Sequence, residues 1–504
     1  MIYDYILINP PNLANYKVNY KSMPLGLGYI KSSVQPKYTG SIIDAFNNNM
    51  SVEELVNIIL QLSPKIIGIS CNYFTAVPPT IQIIKELRDN KYKGHICLGG
   101  HGAVSCKERI IEFAEIDSLC CGEGEIAFAK LVEEIISGTF RYEIQGFLFK
   151  KNNIIVDTSS TMEWINLDSI PYPTRTDINN NTIFSTNLDI KINSICTSRG
   201  CPYSCSFCDI THFYHKKWRM RTIKNIIDEI LFLIEDNGVK RFHFNDDNFI
   251  GSTKNGKERA FEFCNYIKKQ NINIEFSMES RVTDIDYELF SALKSCGLVC
   301  VNIGVESGCQ RMLNTWKKGI KVIDSEHAIN LLNSLGISYH TNFILYDMYT
   351  NLDEIKENYE FIKRTHIYVN DIDPLSIYEN YLGIFSGTEI HKKLENTGLL
   401  NNYIMPNITK AEQKILDKYQ PVYGYEIKDE KMKKFVDMQK YWTKQVRLIN
   451  ENENTQVVYF TEKHKKYLYL KLFKLAIDLA DKNTVSFNLF DNIIDNYKES
   501  IRIS

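Results

Sequence analysis

Short apolar runs alternate with stretches of helical spacing along the first part of the chain. Tyr5-Ile6-Leu7-Ile8, Ser41-Ile42-Ile43-Asp44, Ile66-Ile67-Gly68-Ile69-Ser70 and His95-Ile96-Cys97-Leu98-Gly99-Gly100 read as strands. Between the last two, Ile81, Ile83, Ile84 and Leu87 recur at helical spacing. Continuous apolar strands separated by helices predict a parallel sheet covered on both faces. Such sheets bind ligands at the carboxyl ends of their strands. Here those ends carry Asn9, Asp44, Ser70 and Gly99-Gly100-His101.

Residues 141–193 break the pattern with Pro171, Pro173 and the run Asn179 to Asn181, and read as a linker with a small hairpin at Gly146 to Asp157. A second alternation then begins. Strands are expected at Ile195 to Ser198, Arg241 to Phe244, Ile274 to Ser277, Val299 to Ile303, Thr341 to Leu345 and Pro374 to Ile377. Six strand–helix units predict an open (β/α)6 barrel over 194–385, with chemistry at the strand carboxyl ends. The fold class is therefore α/β: a doubly wound Rossmann-like sheet over 1–140, the partial barrel, and a mostly helical region over 386–504. In that last region Tyr419, Tyr423, Tyr425, Tyr441 and Trp442 would form core or cover the barrel mouth.

A length of 504 residues suits two or three domains. The formal net charge of −2 gives no basic field for nucleic acid. The start, Met1-Ile2-Tyr3-Asp4, lacks signal-peptide character, and no apolar run is long enough to span a bilayer. A cytoplasmic location follows as the expectation. The odd count of 13 cysteines argues for reduced thiols rather than a disulfide framework. Most lie in apolar runs and read as packing residues.

One group differs. Arg199-Gly200-Cys201-Pro202-Tyr203-Ser204-Cys205-Ser206-Phe207-Cys208 places three thiols on one short loop after the first barrel strand. Clustered thiolates suit soft metals and iron–sulfur centres. Three protein ligands leave one iron open to bind and activate a substrate. Zinc, with His212 or His215 as a fourth ligand, is the rival reading.

This stretch resembles the radical S-adenosylmethionine superfamily, with its C-x3-C-x2-C spacing and an aromatic residue before the last cysteine. The resemblance covers roughly Ser194 to Asn380. It implies a 4Fe-4S cluster on Cys201, Cys205 and Cys208, and S-adenosylmethionine with its adenine near Phe207. Asp246 and Asp247, in Asn245-Asp246-Asp247-Asn248-Phe249, stand where relatives bind the methionine amino group, although the usual Gly-Gly-Glu is absent. Arg281 would pair with the methionine carboxylate and Glu306 would accept from ribose hydroxyls. Without the resemblance, the two aspartates would cap the next helix or face solvent, and Glu306 would be a helix N-terminal acid.

The first domain is similar to the cobalamin-binding domain of one class within this superfamily. Pro24-Leu25-Gly26-Leu27-Gly28-Tyr29, Ile67-Gly68-Ile69-Ser70, Leu98-Gly99-Gly100-His101 and Cys121-Gly122-Glu123-Gly124-Glu125 carry the likeness. It implies a corrin held near Gly99, Gly100, Gly122 and Glu123, with Ser70 and Asn72 bonding an inserted nucleotide tail. Glycines admit a ring system to the backbone. No Asp-x-His-x-x-Gly loop follows the first strand, so cobalt coordination without histidine is expected. The function implied is methylation of an unactivated carbon of a small-molecule, lipid or peptide substrate, served by an electron donor such as flavodoxin or ferredoxin. The alternatives are cobalamin-dependent rearrangement or cyclisation, and a zinc-stabilised nucleotide-binding sensor or scaffold.

Overall fold

A computed structural model describes residues 3–13, 20–152, 154–161, 164–187, 190–452 and 458–503. The first eight strands are β1 (Tyr5–Asn9), β2 (Tyr20–Lys21), β3 (Gly40–Asp44), β4 (Ile66–Ser70), β5 (His95–Gly99), β6 (Ser118–Cys120), β7 (Phe147–Lys151) and β8 (Ile154–Asp157). All but β2 form one sheet of order β3-β1-β4-β5-β6-β7-β8. The strands β3, β1, β4, β5 and β6 run parallel, β7 pairs antiparallel with β6, and β8 pairs antiparallel with β7. The four expected strands are present and β6 is added. The hairpin expected in the linker instead closes this sheet, with Phe147 and Phe149 buried in its core. Chain direction across the sheet reverses between β1 and β4, which opens a crevice at their carboxyl ends. Local chemistry agrees with the helices: Ser51 and Glu54 form a reciprocal cap that starts Val52–Leu62.

The second sheet adds β9 (Ser185–Asn187), β10 (Ile190–Ile195), β13 (Arg241–Phe244), β14 (Glu275–Arg281), β15 (Leu298–Glu306) and β16 (Ser338–Phe343), with β11 (Ser198–Arg199) and β12 (Arg219–Met220) forming a separate short ladder. Its order is β16-β15-β14-β13-β10-β9-β2. The five strands from β10 to β16 are parallel. The antiparallel β9 and β2 extend one edge, so a segment from the first part of the chain completes the second sheet.

Two strand expectations are corrected. The first barrel strand ends at Ile195, because the N–H groups of Thr197 and Ser198 turn to Asp246 rather than to a neighbouring strand. The sixth unit is reduced to a single bridge between Tyr339 and Asp371. Pro374 has no N–H for a ladder, and Ser376–Glu379 coils into a helical turn. Its Tyr378 is fully buried, with its ring 5.6 Å from that of Trp442.

The C-terminal region holds helices Glu430–Asn452, Val458–Asp481 and Phe487–Ile503. It also holds a small antiparallel sheet of β17 (Ile384–Phe385), β18 (Leu400–Asn402) and β19 (Val422–Tyr425). Tyr419, Tyr423 and Trp442 are core residues, and Arg109 of the first domain donates to Tyr423 Oη at 2.8 Å. No described helix is long and apolar enough to cross a membrane.

Candidate functional site

The cysteine loop is held by its neighbours before any cofactor enters. Asp246 Oδ1 accepts from the backbone N–H of Thr197 (2.6 Å) and Ser198 (3.0 Å), and Oδ2 accepts from both hydroxyls. Arg259 donates to Thr197 O and Oγ1, each at 2.8 Å. At Gly200 the backbone has φ +82°, and a Cβ there would lie 2.0 Å from Lys217 O, so only glycine fits. The Gly200 N–H donates to Asp247 Oδ2 at 2.8 Å.

Cys201, Cys205 and Cys208 then line one cavity of about 400 Å³ together with Asp247, Arg281 and Glu306. Burial pushes the Cys208 thiol up to about 12, so a metal centre must displace its proton on binding. His212 and His215 do not line this cavity. Among the described residues no group of three His, Cys, Asp or Glu side chains is arranged around a single ion. Three thiols around an open cavity are a donor set that suits an iron–sulfur cluster.

The same cavity has a charge pattern that fits an amino-acid-bearing cation. Arg281 is 6% exposed, lies 3.4 Å over the Tyr203 ring and approaches Cys205 Sγ at 3.8 Å. One of its terminal nitrogens donates to Lys318 O, while its Nε is buried without a partner. That orphaned donor is available to a carboxylate. Glu306, at the end of β15, has φ +62° and pairs with Lys318 Nζ at 2.6 Å, both side chains buried. It is thus not a solvated helix-end acid. Phe207 lines the cavity and packs edge-on against Trp316. Glu279, on β14, accepts from Asn302 Nδ2 at 2.5 Å, and burial raises its carboxyl to about 7.

Asp246 lines the same cavity. Its hydrogen bonds go to the strand-end loop, so it braces that loop from the cavity wall. Its neighbour Asp247 opens onto the cavity, and burial raises its carboxyl to about 6.

A second cavity of about 370 Å³ lies between the two sheets' carboxyl ends. Ser70 and Gly99, the last residues of β4 and β5, line it together with Asn72, Gly100 and Gly122 from the turns after β4, β5 and β6. Gly26 also lines it, and a Cβ added there meets nothing within 4 Å. These bare positions leave room for a large flat ligand. Gly100 has a different role. Its φ is +95°, and a Cβ would meet Asn72 Oδ1 at 2.6 Å and Cys71 backbone at 2.7 Å, so glycine is required by the turn itself. Glu123 lines the cavity too, with both of its oxygens engaged by arginines. It accepts from Arg199 (2.9 Å) and twice from Arg219 (2.6 and 2.9 Å), both beyond the linker. His101 stacks on Phe213 at 3.9 Å, and burial lowers its pKa.

The two cavities share a wall. Asn245 and Asp247 line both. Sequence reasoning missed Lys318, Arg199 and Tyr203. Arg199 and Tyr203 both lie in the quoted cysteine stretch and were within reach of that reading.

Comparison with known proteins agrees with this arrangement. Residues 195–362 match the Radical SAM superfamily, and residues 12–132 match the B12 binding domain. An uncharacterized methyltransferase of Pyrococcus horikoshii is 27% identical over 367 residues, covering 72% of this chain and 78% of that protein. The anaerobic magnesium-protoporphyrin IX monomethyl ester cyclase of Cereibacter sphaeroides is 29% identical over 318 residues, covering 60% of this chain and 50% of that one. The cobalamin-dependent S-adenosylmethionine radical enzyme OxsB, solved with aqua-cobalamin bound, superposes with a TM-score of 0.71 at 18% identity, covering 99% of this chain and 80% of that one. Its fold is therefore shared over nearly the whole length. The cofactors that go with the two matched domains are a 4Fe-4S cluster, S-adenosylmethionine and cobalamin. The chain is thus an enzyme that carries a B12-binding domain over residues 12–132 ahead of a Radical SAM domain over residues 195–362.

Proposed function

We propose that this enzyme transfers a methyl group from S-adenosylmethionine, by way of cobalamin, to an unactivated carbon of its substrate. The observation that carries the reading is the common wall of the two cavities at Asn245 and Asp247. When bound, the cluster and S-adenosylmethionine supply a radical that removes hydrogen from carbon, and cobalamin supplies the methyl group. The protein's own part is to hold and exclude. Cys201, Cys205 and Cys208 hold the cluster. Arg281 receives the methionine carboxylate, Phe207 flanks the adenine, and Glu306, steadied by Lys318, accepts from the ribose. Gly26, Gly99 and Gly122 leave the corrin its space, while Ser70 and Asn72 offer hydrogen bonds to its tail. A substrate reaching both cavities would lie against Asn245 and Asp247.

The protein needs an external one-electron donor of the flavodoxin or ferredoxin kind. Cyclisation remains a second reading, favoured by the match to the Cereibacter cyclase. Methyl-labelled S-adenosylmethionine distinguishes them. The reconstituted enzyme is incubated with small-molecule, lipid and peptide fractions. Label in a product, with S-adenosylhomocysteine formed alongside 5′-deoxyadenosine, supports methyl transfer. Product formation with 5′-deoxyadenosine alone and no label overturns it.

A further inference from the structure

The first domain and the cysteine loop are joined by one guanidinium. Arg199 lies on β11, two residues before Cys201. Its Nη1 donates to Glu123 Oε1 at 2.9 Å and its Nη2 to Glu125 Oε1 at 2.6 Å. All three side chains are at most 11% exposed. The guanidinium also sits 5.2 Å over the ring of Tyr29, another first-domain residue. Glu123 follows Gly122 in the turn that lines the corrin cavity, and Arg219, the ladder partner of Arg199, holds the other side of the same carboxylate.

The path continues without a gap. The residue after Arg199 is Gly200, whose N–H is fixed to Asp247, and the next is Cys201. Asp247 faces both cavities. A ligand that settles the turn at Gly122 and Glu123 therefore acts on a fork that ends at a cluster ligand. Buried ion pairs of this kind contribute little net stability but fix one geometry against others. A planar fork with two partners transmits such a constraint, and a point charge on a flexible stem does not.

We propose that Arg199 is a positioning residue that couples the corrin cavity to the S-adenosylmethionine cavity, so that occupancy of one tightens binding in the other. The proposal rests on the assignment of the two cavities made above. Coupling of this kind is a property of two sites together, and it is reciprocal.

The test uses the full-length protein, reconstituted with cluster under anaerobic conditions. Calorimetry gives the affinity for S-adenosylmethionine with and without saturating hydroxocobalamin, and the affinity for hydroxocobalamin with and without S-adenosylmethionine. The wild type should show the same gain in both directions, about fivefold or more, the usual lower range for linked sites. Arg199→Lys keeps the charge and loses the fork. It should bind each ligand alone, retain its iron, and show a gain of under about twofold. Glu125→Gln, which removes one arm and leaves Arg199 in place, should show a reduced gain and covers the case in which the lysine variant does not fold. A wild type that binds both ligands with no mutual gain overturns the proposal while leaving the cavity assignment standing. A full gain in either folded variant also overturns it. Failure of hydroxocobalamin to bind the folded wild type overturns the cavity assignment, and the proposal with it.

Discussion

Lys318 Nζ stands 2.6 Å from Glu306 Oε1, and both side chains are more than nine-tenths buried. Each charge is compensated by the other at a largely buried stretch of the cavity wall. Lys318→Met leaves the Glu306 carboxylate buried and unpaired, a change that typically costs about 3–5 kcal/mol. Denaturant unfolding of the cofactor-free protein should show this loss. The double variant Lys318→Met, Glu306→Gln should recover much of it. Equal stability of the single variant and the wild type would show that the pair is not what the geometry says it is.

The cysteine assignment predicts that Cys205→Ala abolishes cluster assembly. Metal analysis after anaerobic reconstitution should find iron in the wild type and almost none in the variant, and 5′-deoxyadenosine should not form. Zinc in place of iron in the wild type would restore the scaffold reading.

Arg281→Ala should keep the iron, because its contact with Cys205 is long and the thiols remain. Losing a hydrogen bond to a charged group costs about 1.5–3 kcal/mol, or roughly ten- to a hundredfold in affinity. Calorimetry with S-adenosylmethionine reads that loss directly. Unchanged affinity removes Arg281 from the site.

Glycines near the corrin cavity separate into two kinds. Gly26→Leu adds a side chain where a Cβ meets nothing, so circular dichroism should be unchanged while hydroxocobalamin no longer stays with the protein. Gly100→Val places a branched side chain at φ +95° against the Cys71 backbone, so it should disrupt the turn itself. Retention of both fold and corrin by Gly26→Leu would place the ligand elsewhere.

Glu279 gives the stability a pH slope of known sign. Burial raises its carboxyl from the usual 4.5 to about 7, so the native state keeps this proton where the unfolded chain releases it. Stability of the cofactor-free protein from this group is full below about pH 4.5 and falls as pH rises toward 7. Glu279→Gln should therefore flatten the decline in melting temperature between pH 5 and pH 7. An unchanged slope would mean the carboxyl is ionised in the fold.

How far the sequence could be read depended on how local each role is. The three cysteines lie within eight residues, so their grouping is legible in a local stretch of sequence. The parallel strands were legible because apolar runs and helical periods alternate, yet Pro374 to Ile377 has the composition of a strand and forms a turn. Its Tyr378 is claimed by Trp442, which is 64 positions away and invisible to a local pattern. Asp246 was placed correctly at a strand end, but its direction depends on Thr197 and Ser198, contacts that only the folded sheet supplies. Arg199 and Glu123 each lie in a recognised motif. That they hold one another, 76 positions apart, is written in neither.

The pairing of Tyr20 and Lys21 with Thr186 and Asn187 bears on how the molecule can be cut or inherited. The corrin-binding half is not a portable module. A fragment ending at residue 140 would carry away a strand belonging to its neighbour's sheet. The remainder would be left with the open edge of β9, a row of unpaired backbone groups ready to recruit another chain. Recombination that swaps this half for another keeps the barrel whole only if the incoming half brings its own version of that short strand.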